Sequence, residues 1–282
     1  MTRSAWVRAA AASSAAAALT LLYMVFESQW LRLAEHDVAV DDLSPDLEGF
    51  TVVQLSDLHA GSGPSLNMRT IRRAVALTDA ARPDLVLITG DLVTGDARLE
   101  ELMGLLRGLP AGRGVFAVLG NHDHGETKIV HVPAADLSRL GEAGVRLLGD
   151  ECVRLQVGDG AVQVCGVDDI RHGYGDVAPV LAALDRTPGV LRLLLSHYGE
   201  VAWRCAPGDF ALVLSGDTHG GQICVPTPRG PVPLSSPTAP FRDGFYDVDG
   251  VRVFVSRGVG TSFLPFRLFC RPQVDVFRFR RA

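Results

Sequence analysis

TVVQLSDLH, residues 51 to 59, is an apolar run that ends in Asp57 and His59, and it decides the fold class of this chain. Short runs of this kind are typical of buried parallel strands, whose ends meet at one edge of a sheet. Ordinary strand ends turn to Ser, Gly or Lys, so repeated endings in Asp, His and Asn indicate a shared polar site. The same pattern, an apolar run followed by Asp, His or Asn, recurs in four later segments: LVLITGD (85 to 91), VFAVLGNHD (115 to 123), LRLLLSH (191 to 197) and FALVLSGDTH (210 to 219).

Amphipathic segments separate these runs, and their periodicity predicts helices over residues 66–81, 97–107, 134–143 and 176–186. Alternation of strands with helices predicts a layered α/β domain. Two regions lack helical periodicity and predict antiparallel hairpins: residues 145–168, and GFYDV with VRVFV, which are joined by Asp249 and Gly250. A sandwich of two mixed sheets with helices outside accommodates both patterns.

Composition excludes several classes of protein. The chain has 282 residues, 47% of them hydrophobic, which suffices for one catalytic domain with a large core. A net charge of -5, with no basic stripe, argues against nucleic acid as a partner. The five cysteines are scattered. Cys152 and Cys165 can face each other across a hairpin, but an odd total leaves a thiol free, and we expect no disulfide framework.

The N-terminus contains an uncharged stretch, residues 9–26, that is long enough to cross a bilayer as a transmembrane helix. Arg3 and Arg8 precede it and predict a cytoplasmic N-terminus, while Trp6 and Trp30 stand where interfacial aromatics are expected. The sequence thus predicts a single-pass cell-membrane protein whose catalytic domain is extracytoplasmic. A cleaved signal peptide is the alternative, although no small-x-small cleavage site follows the stretch.

Three divisions follow from these patterns. Residues 1–26 are interpreted as the membrane anchor, residues 27–49 as a spacer with a first strand, and residues 50–282 as the catalytic domain. Within that domain, residues 225–241 contain six prolines and no periodicity. Long irregular loops are usually functional or disordered, so this loop is expected either to border the site or to lie on the surface.

The polar strand ends offer donors for divalent metals. Asp57 and His59 are two residues apart, so both can point to one side of an extended segment, and the carboxylate of Asp91 can bridge two ions. Seven candidate ligands are too many for one ion and suit a dinuclear site that hydrolyses esters with a bridging hydroxide. Nitrogen and oxygen donors without thiolate favour Mn, Fe or Zn. The seven are Asp57, His59, Asp91, Asn121, His197, Asp217 and His219.

In this order the motifs D-x-H, G-D, G-N-H-D, H and a final G-D-T-H resemble those of the calcineurin-like metallophosphoesterases over about residues 50–260. The resemblance implies a four-layer sandwich and hydrolysis of phosphoric esters. It implies a first metal at Asp57, His59, Asp91 and His219, and a second at Asp91, Asn121, His197 and Asp217.

The same resemblance makes His122 the residue that protonates the leaving oxygen or stabilises its developing charge. A structural role for this histidine is the alternative. Asp123 is a candidate to orient the site, or it only caps the following turn. His124 is a candidate for contact with the substrate phosphate.

Two departures from the family stand out. Asp217 occupies a position where the family usually has His, and Thr94 occupies one where some relatives carry an Asp that orients the catalytic His. Aspartate is a harder, anionic donor that favours Mn or Fe and lowers the net charge of the site, so the second metal is expected to be held more loosely.

The leading apolar segment and the tail SRGVGTSFLPFRLFCRP resemble the membrane-anchored or exported bacterial branch of the family. This resemblance implies a phosphodiesterase acting on lipid-linked substrates, including UDP-diacylglucosamine-like pyrophosphates. Two alternatives remain at this point: a broad phosphomonoesterase, and a weakly active binding protein with a degenerate second metal site.

Overall fold

In the computed structural model, which describes residues 2–63, 66–127, 131–228, 230–235 and 238–282, the apolar runs form the interior strands of two sheets. In chain order the strands are β1 (Arg32–Val40), β2 (Thr51–Leu55), β3 (Leu85–Thr89), β4 (Val115–Val118), β5 (Val145–Leu147), β6 (Glu151–Val157), β7 (Gly160–Val167), β8 (Val190–Ser196), β9 (Leu212–Ser215), β10 (Cys224–Val225), β11 (Val232–Pro233), β12 (Gly244–Val248), β13 (Val251–Val255) and β14 (Gln273–Arg281). The helices are α1 (Arg3–Ser28), α2 (Asn67–Ala81), α3 (Leu99–Leu106) and α4 (Val177–Ala182).

The sheet topology brings the predicted site together. The first sheet has the order β1-β14-β2-β3-β4-β5 and the second the order β12-β13-β9-β8-β7-β6, while β10 and β11 form a separate small hairpin. β2 to β5 are parallel, as are β7, β8, β9 and β13. Parallel strands end at one edge, so the segments that follow β2, β3 and β4 meet those that follow β8 and β9.

Four layers result because side chains alternate between the two faces of each strand. Leu85 and Leu87 in β3 pack toward the second sheet, whereas Val86 and Ile88 pack against α2 and α3. α4 covers the outer face of the second sheet through Val177 and Val180. The expected sandwich of two sheets with outer helices is confirmed.

Both predicted hairpins are present. β6 pairs antiparallel with β7, and β12 pairs antiparallel with β13. In the second hairpin Asp249 and Gly250 have φ values of 50° and 85°. A two-residue turn with both φ values positive matches the twist of the strands that it joins, and Asp-Gly is a preferred sequence for it.

The helix expected over residues 134–143 is wrong. Only Ser138–Ala143 is helical there, and it is a 3-10 helix. Gly141 and Gly144 flank its last turn, and glycine lowers the stability of an α-helix. The other three predicted helices are present, and they are shorter than predicted by one, three and five residues in chain order.

The spacer assigned to residues 27–49 is an integral part of the first sheet. β1 pairs in parallel with β14 over nine residue pairs, from Arg32 with Gln273 to Val40 with Arg281. This partner lies about 240 positions away in the sequence, so local patterns cannot reveal it. The N-terminal segment therefore enters the sandwich directly.

No disulfide framework was expected, but one disulfide is present, at the cysteine pair that can face each other across a hairpin. Cys152 in β6 and Cys165 in β7 are directly opposite one another in the hairpin and form a disulfide. Cys205, Cys224 and Cys270 are free thiols in the described chain. Disulfides persist mainly in oxidising compartments, outside the cytoplasm.

α1 is exposed along most of its length but is attached to the domain at its last turn. Its segment Trp6–Ser28 is long and apolar enough to cross a membrane. The Glu27 carboxylate accepts hydrogen bonds from the backbone N–H groups of Phe269 (2.9 Å) and Cys270 (2.7 Å). The helix therefore ends on the surface of the domain, against the segment that precedes β14.

Candidate metal centre

Five of the seven predicted ligands have a left-handed backbone. Asp57, His59, Asp91, Asp217 and His219 have φ values between 46° and 74°. Such a conformation costs roughly 1–2 kcal/mol for a non-glycine residue. Strain of this kind clusters at functional sites, where the surrounding fold holds it in place. Here it directs side chains from the strand ends into one shared space.

The first group of ligand atoms is formed by the segments after β2 and β9. His59 Nε2 lies 2.9 Å from His219 Nε2, and His219 Nε2 lies 3.4 Å from Asp57 Oδ1. Asp91 Oδ2 lies 3.4 Å from His59 Nε2. Side chains of Asp57, His59 and His219 are buried. Two imidazoles and two carboxylates thus converge within coordination range of one small cation.

The second group is centred on His197. Its Nδ1 donates a hydrogen bond to the carbonyl oxygen of Thr89 (2.8 Å), which leaves Nε2 as the ring nitrogen that faces the carboxylates. This Nε2 is buried and makes no hydrogen bond to any described residue. It faces Asp91 Oδ2 at 3.4 Å and Asp217 Oδ1 at 3.9 Å. A buried ring nitrogen without a hydrogen-bond partner is costly, and a cation that replaces its proton and is shared with these carboxylates removes the cost.

Asp217 faces His197 in this second group, and Asn121 lines the same cavity. The Asn121 amide is oriented by its Nδ2, which donates to the carbonyl oxygen of Glu126 (2.7 Å), while Oδ1 accepts from the Tyr198 hydroxyl (3.0 Å). Asp217 Oδ2 forms an ion pair with Arg171 at 3.2 Å. The donor set therefore fits two divalent ions that share Asp91, with Asp217 divided between a cation and an arginine.

His122 lies beside the ligands. Its backbone N–H donates to Asp91 Oδ1 (2.9 Å), and its ring stands edge-on to the His59 ring at a centroid distance of 4.5 Å. Nε2 is 3.4 Å from Ser262 Oγ at the wall of the cavity. Burial lowers the pKa of His122, so its imidazole is neutral at neutral pH.

Thr94 connects two of these histidines. Its hydroxyl lies 3.0 Å from His59 Nδ1 and 3.3 Å from His122 Nδ1. When His59 binds a cation through Nε2, its Nδ1 carries the proton and donates to Thr94. The threonine hydroxyl then donates to His122 Nδ1, which leaves the His122 proton on Nε2, toward the cavity. A hydroxyl here orients the imidazole in place of the carboxylate that some relatives use.

Asp123 and His124 do not line the cavity. The Asp123 carboxylate accepts three backbone N–H groups, from Gly120, Leu92 and Val93, and so joins the loops that follow β3 and β4. His124 Nε2 lies 2.7 Å from Asp168 Oδ1, and its ring stacks on Tyr174. We therefore assign Asp123 a role in loop geometry and His124 no role in binding the substrate.

A cavity of about 450 Å³ opens over the ligand groups. Its polar lining includes Asp91, Asn121, His122 and Asp217. An apolar wall consists of Ile223, Leu234, Phe263 and Leu264. A second cleft of about 470 Å³, near Arg186 and Arg192 at the other edge of the sheets, contains none of the predicted ligands.

Arg171 is the site residue that the sequence did not reveal. It is the only Lys or Arg among the described residues that line the cavity. Its guanidinium lies 3.8 Å from the centre of the Tyr198 ring and pairs with Glu200 at 2.5 Å and with Asp217 at 3.2 Å. Its only sequence signal was its place in the polar segment DDIRHGYGD after β7.

Arg267 is a second residue without a sequence signal. Its side chain is fully buried. The guanidinium donates to the backbone carbonyl oxygens of His219 (3.2 Å), Cys270 (3.3 Å) and Gly260 (2.6 Å). It thereby fixes the segment before β14 against a predicted metal ligand.

The protonation states of the ligands determine how many protons a binding metal ion must displace. Burial lowers the pKa of His59 to about 3 and that of His219 well below its usual value, so both are already neutral. Burial raises the pKa of Asp57 to about 7. For His197 burial acts downward, but Asp91 prevails and raises its pKa well above the usual value. A cation must therefore displace protons from Asp57 and His197.

Removing the metals is expected to make stability fall as pH rises. A folded-state pKa above the unfolded value, as for Asp57 and His197, stabilises the metal-free fold at low pH, and this contribution is lost as pH rises through the folded pKa. The neutral His59 and His219 have the opposite effect up to the unfolded-state pKa of histidine, about 6.5, so the melting temperature of the chelated protein should drop by roughly 5 °C between pH about 6.5 and 8. Added Mn²⁺ should restore it, most at the higher pH. Thermal scans with and without chelator measure this, and a metal-free protein that melts higher at pH 8 would contradict it.

Comparisons of the sequence with a family model and with individual proteins identify the same family. The sequence model of the calcineurin-like phosphoesterases matches residues 50–221. The uncharacterized metallophosphoesterase YkuE of Bacillus subtilis is 28% identical over 256 residues, covering 89% of this chain and 86% of the relative. The phosphodiesterase YaeI of Escherichia coli is 31% identical over 263 residues, covering 89% and 88%. A transmembrane protein with metallophosphoesterase domain from Bos taurus is 29% identical over 97% of this chain, which spans 62% of that relative.

Proposed function

From the premise that this chain belongs to the calcineurin-like phosphoesterase family and is a phosphoric ester hydrolase, we propose that it is a phosphodiesterase with two divalent metal ions and a lipid-linked substrate. The observation that carries the metal part is His197 Nε2, buried without a hydrogen-bond partner in the described chain and facing two carboxylates. The proposed sets are Asp57, His59, Asp91 and His219 for one ion, and Asp91, Asn121, His197 and Asp217 for the other.

When bound, two divalent cations supply Lewis acidity to the phosphoryl oxygens and an activated water for in-line attack. The side chains of the cavity perform the other tasks. Arg171 binds a non-bridging phosphoryl oxygen, because its guanidinium lies at the cavity and is held in place by Tyr198 and Glu200. His122 donates a hydrogen bond from its Nε2–H to the leaving oxygen and stabilises the negative charge that develops there, in the tautomer that Thr94 selects.

The charge of the cavity favours a diester over a monoester. A diester carries one negative charge on its phosphoryl group and a monoester about two at neutral pH. Arg171 is the only cationic side chain among the described lining residues, and Asp217 partly neutralises it. The second ester group of a diester finds the apolar wall of Ile223 and Leu234. A lipid-linked substrate, such as a UDP-diacylglucosamine-like pyrophosphate, fits a cavity that has both a polar and an apolar part.

A membrane location with an extracytoplasmic domain supports the lipid part of the proposal. α1 is long and apolar enough to cross a membrane, and relatives from two vertebrates are named as transmembrane proteins. Arg3 and Arg8 precede the apolar stretch, as in helices whose N-terminus stays in the cytoplasm. The disulfide between Cys152 and Cys165 suits an oxidising compartment.

The proposal is tested with the full chain in detergent micelles and Mn²⁺. Turnover of bis-p-nitrophenyl phosphate, p-nitrophenyl phosphate and a phospholipid diester is compared, with bound metal measured on the same preparation. Diester turnover should exceed monoester turnover by about tenfold, the ratio for about 1.4 kcal/mol of discrimination. Faster monoester turnover would establish the phosphomonoesterase instead, and no turnover of any ester with metal bound would refute hydrolysis.

Asp217→Ala is expected to lower metal content from about two ions per chain toward one and to reduce diester turnover at least tenfold, since losing a ligand weakens the second ion. Glu200→Gln is the matched control, because Glu200 also pairs with Arg171 but lies outside both ligand sets. Metal analysis by mass spectrometry decides the matter. Two ions retained in the Asp217 variant would show that this carboxylate serves Arg171 alone.

A further inference from the structure

The segment 262–270, SFLPFRLFC, is attached to the last turns of α1. The Arg267 N–H donates to the carbonyl oxygen of Met24 (3.1 Å), and the Phe269 ring lies 6.5 Å from the Tyr23 ring. A helix rises about 1.5 Å per residue, so Tyr23 lies about 7 Å before the end of α1 at Ser28. The segment, called here the 262–270 loop, therefore descends alongside the apolar span.

The other end of the same loop forms part of the cavity. Ser262 Oγ is 3.4 Å from His122 Nε2, and the Phe263 ring is 5.4 Å from the His122 ring. Leu264 belongs to the apolar wall. A single loop thus contacts both the apolar helix and the proposed catalytic histidine.

The loop presents large apolar side chains outward. Phe263, Leu264 and Phe269 are 40%, 47% and 47% exposed, and Leu234 beside them is 63% exposed. Clusters of this kind mark interaction surfaces. Phe263 and Phe269 also have φ values of 57° and 52°, which bulky residues rarely adopt. The buried guanidinium of Arg267 holds the loop in this conformation through its backbone contacts.

The surroundings of the loop match a membrane interface. Trp30 stacks under the Arg271 guanidinium at 3.8 Å just beyond the span, where aromatic and basic residues are common. The carboxylate of Glu27, in the last turn of α1, is buried and accepts two backbone N–H groups. A carboxylate satisfied in this way tolerates a low dielectric.

We infer that the 262–270 loop is immersed in the bilayer interface and that Leu234, Phe263 and Leu264 form an apolar portal, through which the acyl part of an amphiphilic phosphodiester enters the cavity laterally from the membrane. The occupant is the lipid bilayer, because the apolar surface is continuous with α1. This inference deepens the proposed function and rests on it for the substrate. The polar headgroup then meets Arg171 and the metal ligands while the chain stays in lipid.

The depth of the loop is tested by photolabelling. The full chain is reconstituted in vesicles of phosphatidylethanolamine and phosphatidylglycerol that contain a phosphatidylcholine with a diazirine on its acyl chain. After irradiation, mass spectrometry should find label at Phe263, Leu264 and Phe269 as well as in α1. Trp203 and Phe245, 61% and 45% exposed but away from the loop, are the matched controls and should stay unlabelled. Label confined to α1 would overturn the inference.

Kinetics test the portal separately. Leu264→Ser should lower the ratio of turnover on a vesicle-embedded phospholipid diester to turnover on bis-p-nitrophenyl phosphate by about tenfold, the expected effect of losing one apolar contact. Trp203→Ser should keep the ratio of the unaltered protein. An unchanged ratio for Leu264→Ser would overturn the portal while hydrolysis of the soluble diester upholds the phosphodiesterase. Absence of turnover on both substrates would refute the phosphodiesterase, and the photolabelling would still decide the position of the loop.

Discussion

Asp91→Asn is expected to lower kcat for diester hydrolysis at least about a thousandfold, equivalent to roughly 4 kcal/mol of transition-state stabilisation. Asp91 faces both groups with a single oxygen, because its Oδ2 lies 3.4 Å from His59 Nε2 and 3.4 Å from His197 Nε2. Asparagine keeps the size and one oxygen but removes the charge that two cations would share. A large loss of turnover would therefore indicate that the Asp91 carboxylate bridges two cations, because the substitution hardly changes the packing.

Steady-state turnover with saturating Mn²⁺ and metal analysis of the same samples measure this effect. Asp209→Asn is the matched control: Asp209 is also buried, but it pairs with Arg186 at the far edge of the second sheet. The control should keep both metals and turnover within about twofold, as for a site remote from the chemistry. An Asp91 variant with a tenth or more of the original turnover would contradict the shared-ligand assignment.

His122→Ala is expected to lower kcat about 10²- to 10³-fold, the usual range for loss of one hydrogen-bond donor to developing negative charge. Metal content should stay unchanged, because the proposed role of its ring is to donate a hydrogen bond to the leaving oxygen. The loss should be small for a p-nitrophenolate leaving group, which delocalises its own charge, and large for an alkyl leaving group. This dependence on the leaving group separates charge stabilisation from a purely structural role.

His124→Ala is the matched control for that experiment, since the neighbouring imidazole is bound to Asp168 and stacks on Tyr174. Its turnover should match the original for both kinds of leaving group. Equal losses on both kinds in the His122 variant would refute its role at the leaving oxygen. Loss of a metal ion in that variant would instead make His122 a ligand, which its grouping with His59 and Asp91 permits.

Strands and hairpins were predictable because their signals are local. The apolar runs read directly as β2, β3, β4, β8 and β9, and Asp249 with Gly250 fixed the last hairpin. The pairing of β1 with β14 joins the two ends of the chain and left no local trace. The disulfide depended on the register that sets Cys152 opposite Cys165, which the spacing alone did not determine.

The residues of the candidate site also fall into a predictable and an unpredictable set. The proposed ligands were predictable because they follow strands, and the end of a strand can be recognised in a sequence. Arg171 and Arg267 come from irregular segments, and their positions depend on contacts with Tyr198 and His219 that form only in the folded chain. Asp123 and His124 continue a motif, but the sequence did not show that their side chains turn away from the cavity.

The left-handed backbone at the ligand positions also constrains how this centre can evolve. Among residues other than glycine, Asn, Asp and His adopt positive φ most readily. Position 217, with a φ of 74°, can therefore exchange histidine for aspartate without any change in the main chain. β-branched and bulky residues are disfavoured there by strain. Natural variation at such a position is thus channelled into a few donor types, so that selection tunes the preferred metal while the scaffold stays fixed.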